Sequence, residues 1–146
     1  MLKLTRRSDY GLIALRHLAS QPVGGACSAK EIAGTYGLPV EMLAKILQKL
    51  TKKGLLVSQY GTNGGYALAR DPSSISAFEV IYAIEGPVFI TSCSTERGAC
   101  DQSSKCVVRE PLRQVNESIV KALSAVSISS LIDDSPGLVQ LQGVMR

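Results

Sequence analysis

The sequence predicts a mainly α-helical chain with one small β-hairpin and a long helix near its C-terminus. Three observations predict it. Two short apolar-striped helical segments are separated by a Gly- and Pro-containing turn, around residues 37–39. Two short strand-like runs flank the Gly-rich stretch 61–65 immediately afterwards. From Val108 onward apolar residues recur at Val108, Leu112, Val115, Ile119, Ala122 and Val126, with spacings of 4, 3, 4, 3 and 4.

The first helix is read over residues 8–20, with Tyr10, Ile13, Ala14, His17 and Leu18 on one apolar stripe and Leu12, Leu15 and Ala19 widening it. His17, the sole histidine, reads as a packed or partly exposed helix residue rather than a ligand. A break follows at residues 21–25. Ser28 and Glu31 have the spacing of a capping box, in which a hydroxyl accepts from the third helical N–H and a carboxylate reaches back to the cap. They open a short helix with Ile32, Ala33 and Tyr36 inward. Gly37 ends it, and Pro39 suits the first turn of the next. In that helix Val40, Leu43, Leu47 and Leu50 share a buried face, leaving Glu41, Met42, Lys45, Gln48, Lys49, Lys52 and Lys53 outside, and Gly54 stops it. Residues 55–60 and 66–69 are the two strands. A hairpin directly after a basic helix of this type completes a winged helix-turn-helix.

Ser76 and Glu79 form a second capping box, opening a helix with Phe78, Ile81 and Ile84 inward that ends at Gly86 and Pro87. Residues 88–107 show little periodicity and hold Cys93, Cys100 and Cys106, so this long loop is read as functional. The regular part of the heptad helix is expected to begin at Pro111, and its seam suggests a two-fold dimer. One more short helix spans residues 127–133, and Pro136 and Gly137 begin a tail. The organisation expected is therefore a DNA-binding domain at 1–86, a cysteine-rich loop at 87–107, a dimerisation helix with a short terminal helix at 108–134, and a tail at 135–146.

Composition narrows the function. The chain has 146 residues, 45% hydrophobic and 19% charged, which excludes an intrinsically disordered chain. No apolar stretch reaches the ~18 residues of a membrane span, and residues 1–10 lack an apolar signal core. The expectation is a cytoplasmic protein with no membrane partner. The net charge of +4 is uneven: residues 1–70 carry ten Lys/Arg against three Asp/Glu, and residues 71–146 carry six against nine. A basic front half suits a polyanion. Lysines that neutralise DNA phosphates release counterions and gain affinity, and Lys30, Lys45, Lys49, Lys52 and Lys53 fall on the second and third helices. The first residues of a recognition helix meet base edges; here they are Val40, Glu41, Met42 and Lys45, with Glu41 able to accept from a cytosine amino group and Met42 able to touch a thymine methyl. Ser28 stands at the start of the preceding helix, and Asn63 at the wing tip faces the backbone or minor groove. No phosphate loop or Ser/His/Asp constellation is present, so no enzyme activity and no small-molecule substrate are expected.

Cys93, Cys100 and Cys106 supply three soft thiolates separated by six and five residues. Zinc sites usually contain closer Cys pairs, and wide spacing suits an iron–sulfur cluster; zinc and a thiol redox switch remain alternatives on spacing alone. Cys27, just before a helix cap, reads as a bystander.

Leu4, Thr5, Asp9 and Tyr10 at the start, Lys53, Gly54 and Leu55 after the basic helix, Gly61, Gly64, Gly65, Tyr66 and Leu68 in the wing, and Ile75, Ser76, Glu79, Val80 and Ile81 beyond it together resemble the Rrf-two-type family of bacterial winged-helix regulators, over roughly residues 1–134. The resemblance implies a homodimer on pseudo-palindromic promoter DNA, controlled by one [4Fe–4S] or [2Fe–2S] cluster per subunit. It implies Cys93, Cys100 and Cys106 as cluster ligands. Members that regulate iron–sulfur assembly place a histidine three residues after the third cysteine; Arg109 stands there in this chain. Nitric-oxide-sensing members use an aspartate of the first helix of the other subunit, a position matched by Asp9. The expected function is regulation of iron–sulfur assembly or redox-stress genes, with a nitric-oxide or redox-sensing repressor as the alternative. From a different class, a small electron-transfer protein would leave the basic helices unexplained. A regulator that stays free of a cluster is a third alternative.

Overall fold

The computed structural model describes residues 4–22, 25–61, 64–87 and 107–132. Asn63, Cys93, Cys100 and Cys106, and the tail 135–146, lie outside the described residues. Helices α1 (Arg6–Ala19), α2 (Ala29–Tyr36) and α3 (Val40–Lys52) precede strands β1 (Leu56–Gln59) and β2 (Gly65–Leu68), a 3-10 turn over Pro72–Ser74, and helices α4 (Ala77–Glu85), α5 (Arg109–Ala125) and α6 (Ile128–Ile132). This is a mostly helical winged-helix fold with a two-stranded antiparallel sheet, as the sequence predicts.

Helix α1 starts two residues earlier than expected because Thr5 caps it: its Oγ1 accepts from the Ser8 N–H at 3.2 Å. Its buried face also differs from the expected stripe. Ser8, Gly11, Ala14, Leu15 and Leu18 are buried, whereas Tyr10, Ile13 and His17 are only half-buried. The reason lies at Gly11. A Cβ there would stand 2.3 Å from Ile84 Cδ1 and 3.6 Å from Val80 Cγ1, so α4 presses on α1 where the side chain is missing. That contact turns the larger residues to the flanks.

Both capping boxes form. Ser28 Oγ accepts from the Glu31 N–H at 3.1 Å and Glu31 Oε2 from the Ser28 N–H at 3.3 Å; Ser76 and Glu79 repeat the pattern at 3.1 and 3.2 Å. Gly37 closes α2 in the left-handed conformation, φ 66°. Pro39 is the N-cap of α3 rather than its first helical residue. The core-facing stripe of α3 is Leu43, Ile46, Leu47 and Leu50, all at most 1% exposed. Val40, expected on that face, is 46% exposed, because the first turn of α3 lies beyond the edge of the core. Phe78, expected inward, is half-buried and leans on Tyr82 with ring centroids 5.8 Å apart, while Ala77, Val80, Ile81, Ala83 and Ile84 face the core.

The wing pairs Leu56 with Leu68, Val57 with Ala67, Ser58 with Tyr66 and Gln59 with Gly65. A third strand-like rung, absent from the sequence reading, comes from Cys27. Its N–H donates to the Tyr66 carbonyl at 3.0 Å and its carbonyl accepts from the Tyr66 N–H at 2.8 Å. Gly65 permits this approach. Its φ is 149°, and a Cβ would lie 2.4 Å from both the Cys27 carbonyl carbon and its oxygen.

Helix α5 starts at Arg109, with Pro111 in its first turn, where a missing N–H costs nothing. None of its residues is buried. Leu112, Ile119, Ala122 and Val126 are half-buried on the heptad seam, and Val108 and Val115 are 51% and 46% exposed. Helix α6 returns to the head: the Ala77 N–H donates to the Val126 carbonyl at 2.8 Å, the Ile128 N–H to the Ile75 carbonyl at 2.9 Å, and Arg16 Nε to the Leu131 carbonyl at 2.8 Å. Ile128 and Ile75 are fully buried.

Gly65→Ala is expected to cost roughly 2–4 kcal/mol, combining a left-side φ with a backbone clash. Gly34, exposed within α2 with open space around it, gives the contrast: Gly34→Ala should stabilise by about 0.5–1 kcal/mol. Urea denaturation of both variants against the parent chain measures the two effects.

Candidate nucleic-acid interface

The burial of one stripe of α3 decides what its other side offers. With Leu43, Ile46, Leu47 and Leu50 inward, Val40, Glu41, Met42, Lys45, Gln48 and Lys52 are exposed. Glu41 lies in the first turn, where a negative charge suits the helix dipole, and Lys52 lies in the last, where a positive one does. Met42 is 38% exposed, an apolar tip among polar neighbours. Lys30 is exposed on α2. Among the described residues none of Lys30, Lys45 and Lys52 has an ion-pair partner, so each ammonium is free to meet a phosphate.

Not every expected contact residue shares this disposition. The Ser28 oxygen is engaged in capping α2, leaving only its hydroxyl proton to offer outward. Lys49 is half-buried, and its ammonium donates to the Ile84 carbonyl at 2.7 Å. His17 faces Tyr36, Nδ1 to hydroxyl at 2.9 Å with the rings edge to face, which accounts for the half-exposure of Tyr36 where the sequence expected an inward residue.

The wing adds residues that the sequence reading passed over. Tyr60 is 94% exposed at the end of β1, next to Gly61, and Val57 is 44% exposed on the same strand. An aromatic at a strand end before a Gly-rich turn has no core to enter, and that is the signal by which the sequence marks it.

Two groups bear on a metal or cluster. Asp9 is exposed in the first turn of α1, and its carboxylate has no partner among the described residues. Its backbone N–H donates to the Thr5 carbonyl, so the capping role belongs to Thr5. Cys27 is buried, and desolvation pushes its thiol pKa up, with Glu31 adding to the effect. A thiol held protonated is a poor ligand; Cys27 serves the core.

Removing a phosphate-neutralising lysine should flatten the salt dependence of DNA binding. Lys45→Ala and Lys52→Ala are each expected to lower the slope of log K against log salt by about 0.9, with the loss in affinity spread over all sequences. Fluorescence anisotropy on a mixed-sequence duplex over a salt series measures it.

The sequence model described as "Rrf2: Iron-dependent Transcriptional regulator" matches residues 4–134. Among solved structures, CymR (YrzC), the global cysteine regulator of B. subtilis, is similar at 27% identity and a TM-score of 0.73, over 90% of this chain and 97% of that one. T. potens IscR is similar at 28% identity and a TM-score of 0.73, over 91% of this chain and 88% of that one. Staphylococcus aureus CymR, at 23% identity, shares the fold with a TM-score of 0.69 over 90% of this chain and 98% of that one. With the winged helix, the outward basic face of α3 and a match over nearly the whole length, the chain belongs to the Rrf2 family of transcriptional regulators.

Proposed function

We propose that the chain acts as a homodimer on pseudo-palindromic promoter DNA, with binding set by one iron–sulfur cluster per subunit, and that it regulates iron–sulfur assembly or redox-stress genes. The observation that carries the DNA part is the outward face of α3, where Lys45 and Lys52, without ion-pair partners among the described residues, stand beside the proposed base-reading positions Val40, Glu41 and Met42. Lys30 and the hydroxyl proton of Ser28 meet the backbone at the start of α2, and Asn63 and Tyr60 meet it from the wing. Helix α5 supports the dimer. It buries no residue within the chain, and its seam residues Leu112, Val115 and Ile119 have apolar surface left to cover.

For the cluster, the ligands proposed are Cys93, Cys100, Cys106 and Asp9, the last donated across the dimer. The donor set fits: three soft thiolates and one carboxylate that nothing else in its own chain engages among the described residues. When bound, a cluster supplies iron that oxidants or nitric oxide can attack. The protein's part is to place Asp9 on the first turn of α1, whose cap Thr5 also holds the end of α4 through Glu85. Loss of the Asp9 ligand would therefore be felt at the α1–α4 contact and beyond it at α3. The likeness to a global cysteine regulator favours a second reading, in which the same head works without a cluster.

Anaerobically purified protein is expected to be brown, and Cys106→Ala colourless. Asp9→Ala should retain cysteine-bound iron but lose its visible absorbance faster in air. A colourless, zinc-loaded parent protein defeats the cluster, and an unchanged lifetime in Asp9→Ala removes that ligand. Val115→Asp should shift the chain to monomer in sedimentation, since a charge would be buried in the seam without a partner.

A further inference from the structure

A helix ends with carbonyls that have no intrahelical partner, and the negative end of its dipole attracts a cation. At the end of α4 the Gly86 N–H takes the Tyr82 carbonyl at 2.8 Å, and the Ile84 carbonyl is taken by Lys49 Nζ at 2.7 Å. Lys49 comes from the last turn of α3. The next residue of α4, Glu85, accepts a hydrogen bond from Thr5, the cap of α1. On the same turn the Ile84 side chain fills the space over Gly11 of α1, and Ile46 of α3 reaches that glycine too, 3.5 Å from where its Cβ would be. The last turn of α4 thus joins the start of α1 to the end of the recognition helix. Lys45 and Lys52, one turn before and one turn after, are exposed and have no ion-pair partner among the described residues.

We propose that Lys49 is a positioning residue: its ammonium fixes the orientation of α3 against the end of α4 and does not neutralise a DNA phosphate. To reach a phosphate it would have to abandon a part-buried carbonyl that has no other partner among the described residues. The inference rests on the DNA-binding reading for its consequence, but the pin itself is a property of the free protein.

Two measurements test it. In the free full-length chain, Lys49→Met, which keeps the apolar stem, should speed amide hydrogen exchange in the last turn of α4 and the last turn of α3. Lys49→Arg, which keeps a cationic donor, should restore protection. Unchanged exchange in Lys49→Met overturns the pin whether or not the protein binds DNA. In the second measurement the wild-type protein selects a duplex from a random library, and binding to that duplex is followed over a salt series. Lys49→Met should bind roughly tenfold more weakly with an unaltered salt slope, and Lys49→Arg should recover most of the affinity. A fall in slope of about 0.9, equal to that of Lys45→Ala, makes Lys49 a phosphate contact and overturns the proposal. Lys49→Gln, neutral but still a donor, gives the same slope comparison if the methionine variant melts below the assay temperature. Failure of the wild-type protein to select any duplex defeats the DNA-binding reading, and the exchange result still decides whether the pin exists.

Discussion

The head depends on the burial of one stripe of α3. Leu43, Ile46, Leu47 and Leu50 are spaced by three, one and three residues and all lie at or below 1% exposure. Burying a side chain of this size contributes about 1.5–3 kcal/mol, against ~0–1 kcal/mol for a largely solvated ion pair such as Arg70 with Glu79. The stripe therefore fixes the rotation of α3 about its own axis, and the polar residues follow. Glu41, Met42, Lys45 and Lys52 face outward because four apolar neighbours cannot. Their chemistry can change while the helix stays in place, because none of them contributes to the stripe that holds it.

How far the sequence could be read depended on whether the relevant interaction was local. The capping boxes at Ser28 and Ser76, the glycine at the end of α2 and the hairpin are set by residues within a few positions of each other, and they stand in the structure where they were expected. The misread faces were set from outside. On α1 the apolar pattern pointed to Tyr10 and Ile13, but Ile84 of α4 demanded the gap at Gly11. Val40 had the right spacing for the core of α3 but sat one turn past its edge. The candidate site divides in the same way. The outward positions of α3 follow from periodicity, whereas Lys45 and Lys49 look alike in sequence and are separated only by a carbonyl 35 residues downstream. The backbone pairing of Cys27 with Tyr66 left no trace in composition or pattern.

Helix α5 contributes little to the core, yet the chain leaving its C-terminal end is held. It packs against α4, and immediately after it Val126 and Ile128 hydrogen-bond to either side of Ser76 while Leu131 takes the Arg16 guanidinium. The helix thus projects as a strut whose direction is set by the head. A second copy packed along the strut would inherit that direction, so the separation of two recognition helices would be fixed by the same few contacts that order a single chain.

The triple rung of Ser58, Tyr66 and Cys27, to which Gly65 gives room, has a geometric consequence. Cys27 immediately precedes the cap of α2, so the hairpin and the entrance to the helix-turn-helix are hinged on one peptide. Two backbone hydrogen bonds couple their tilts, so the two elements sit like a pair of calipers set to one opening. Lengthening the tip beyond Gly61 would extend a jaw without resetting the gap.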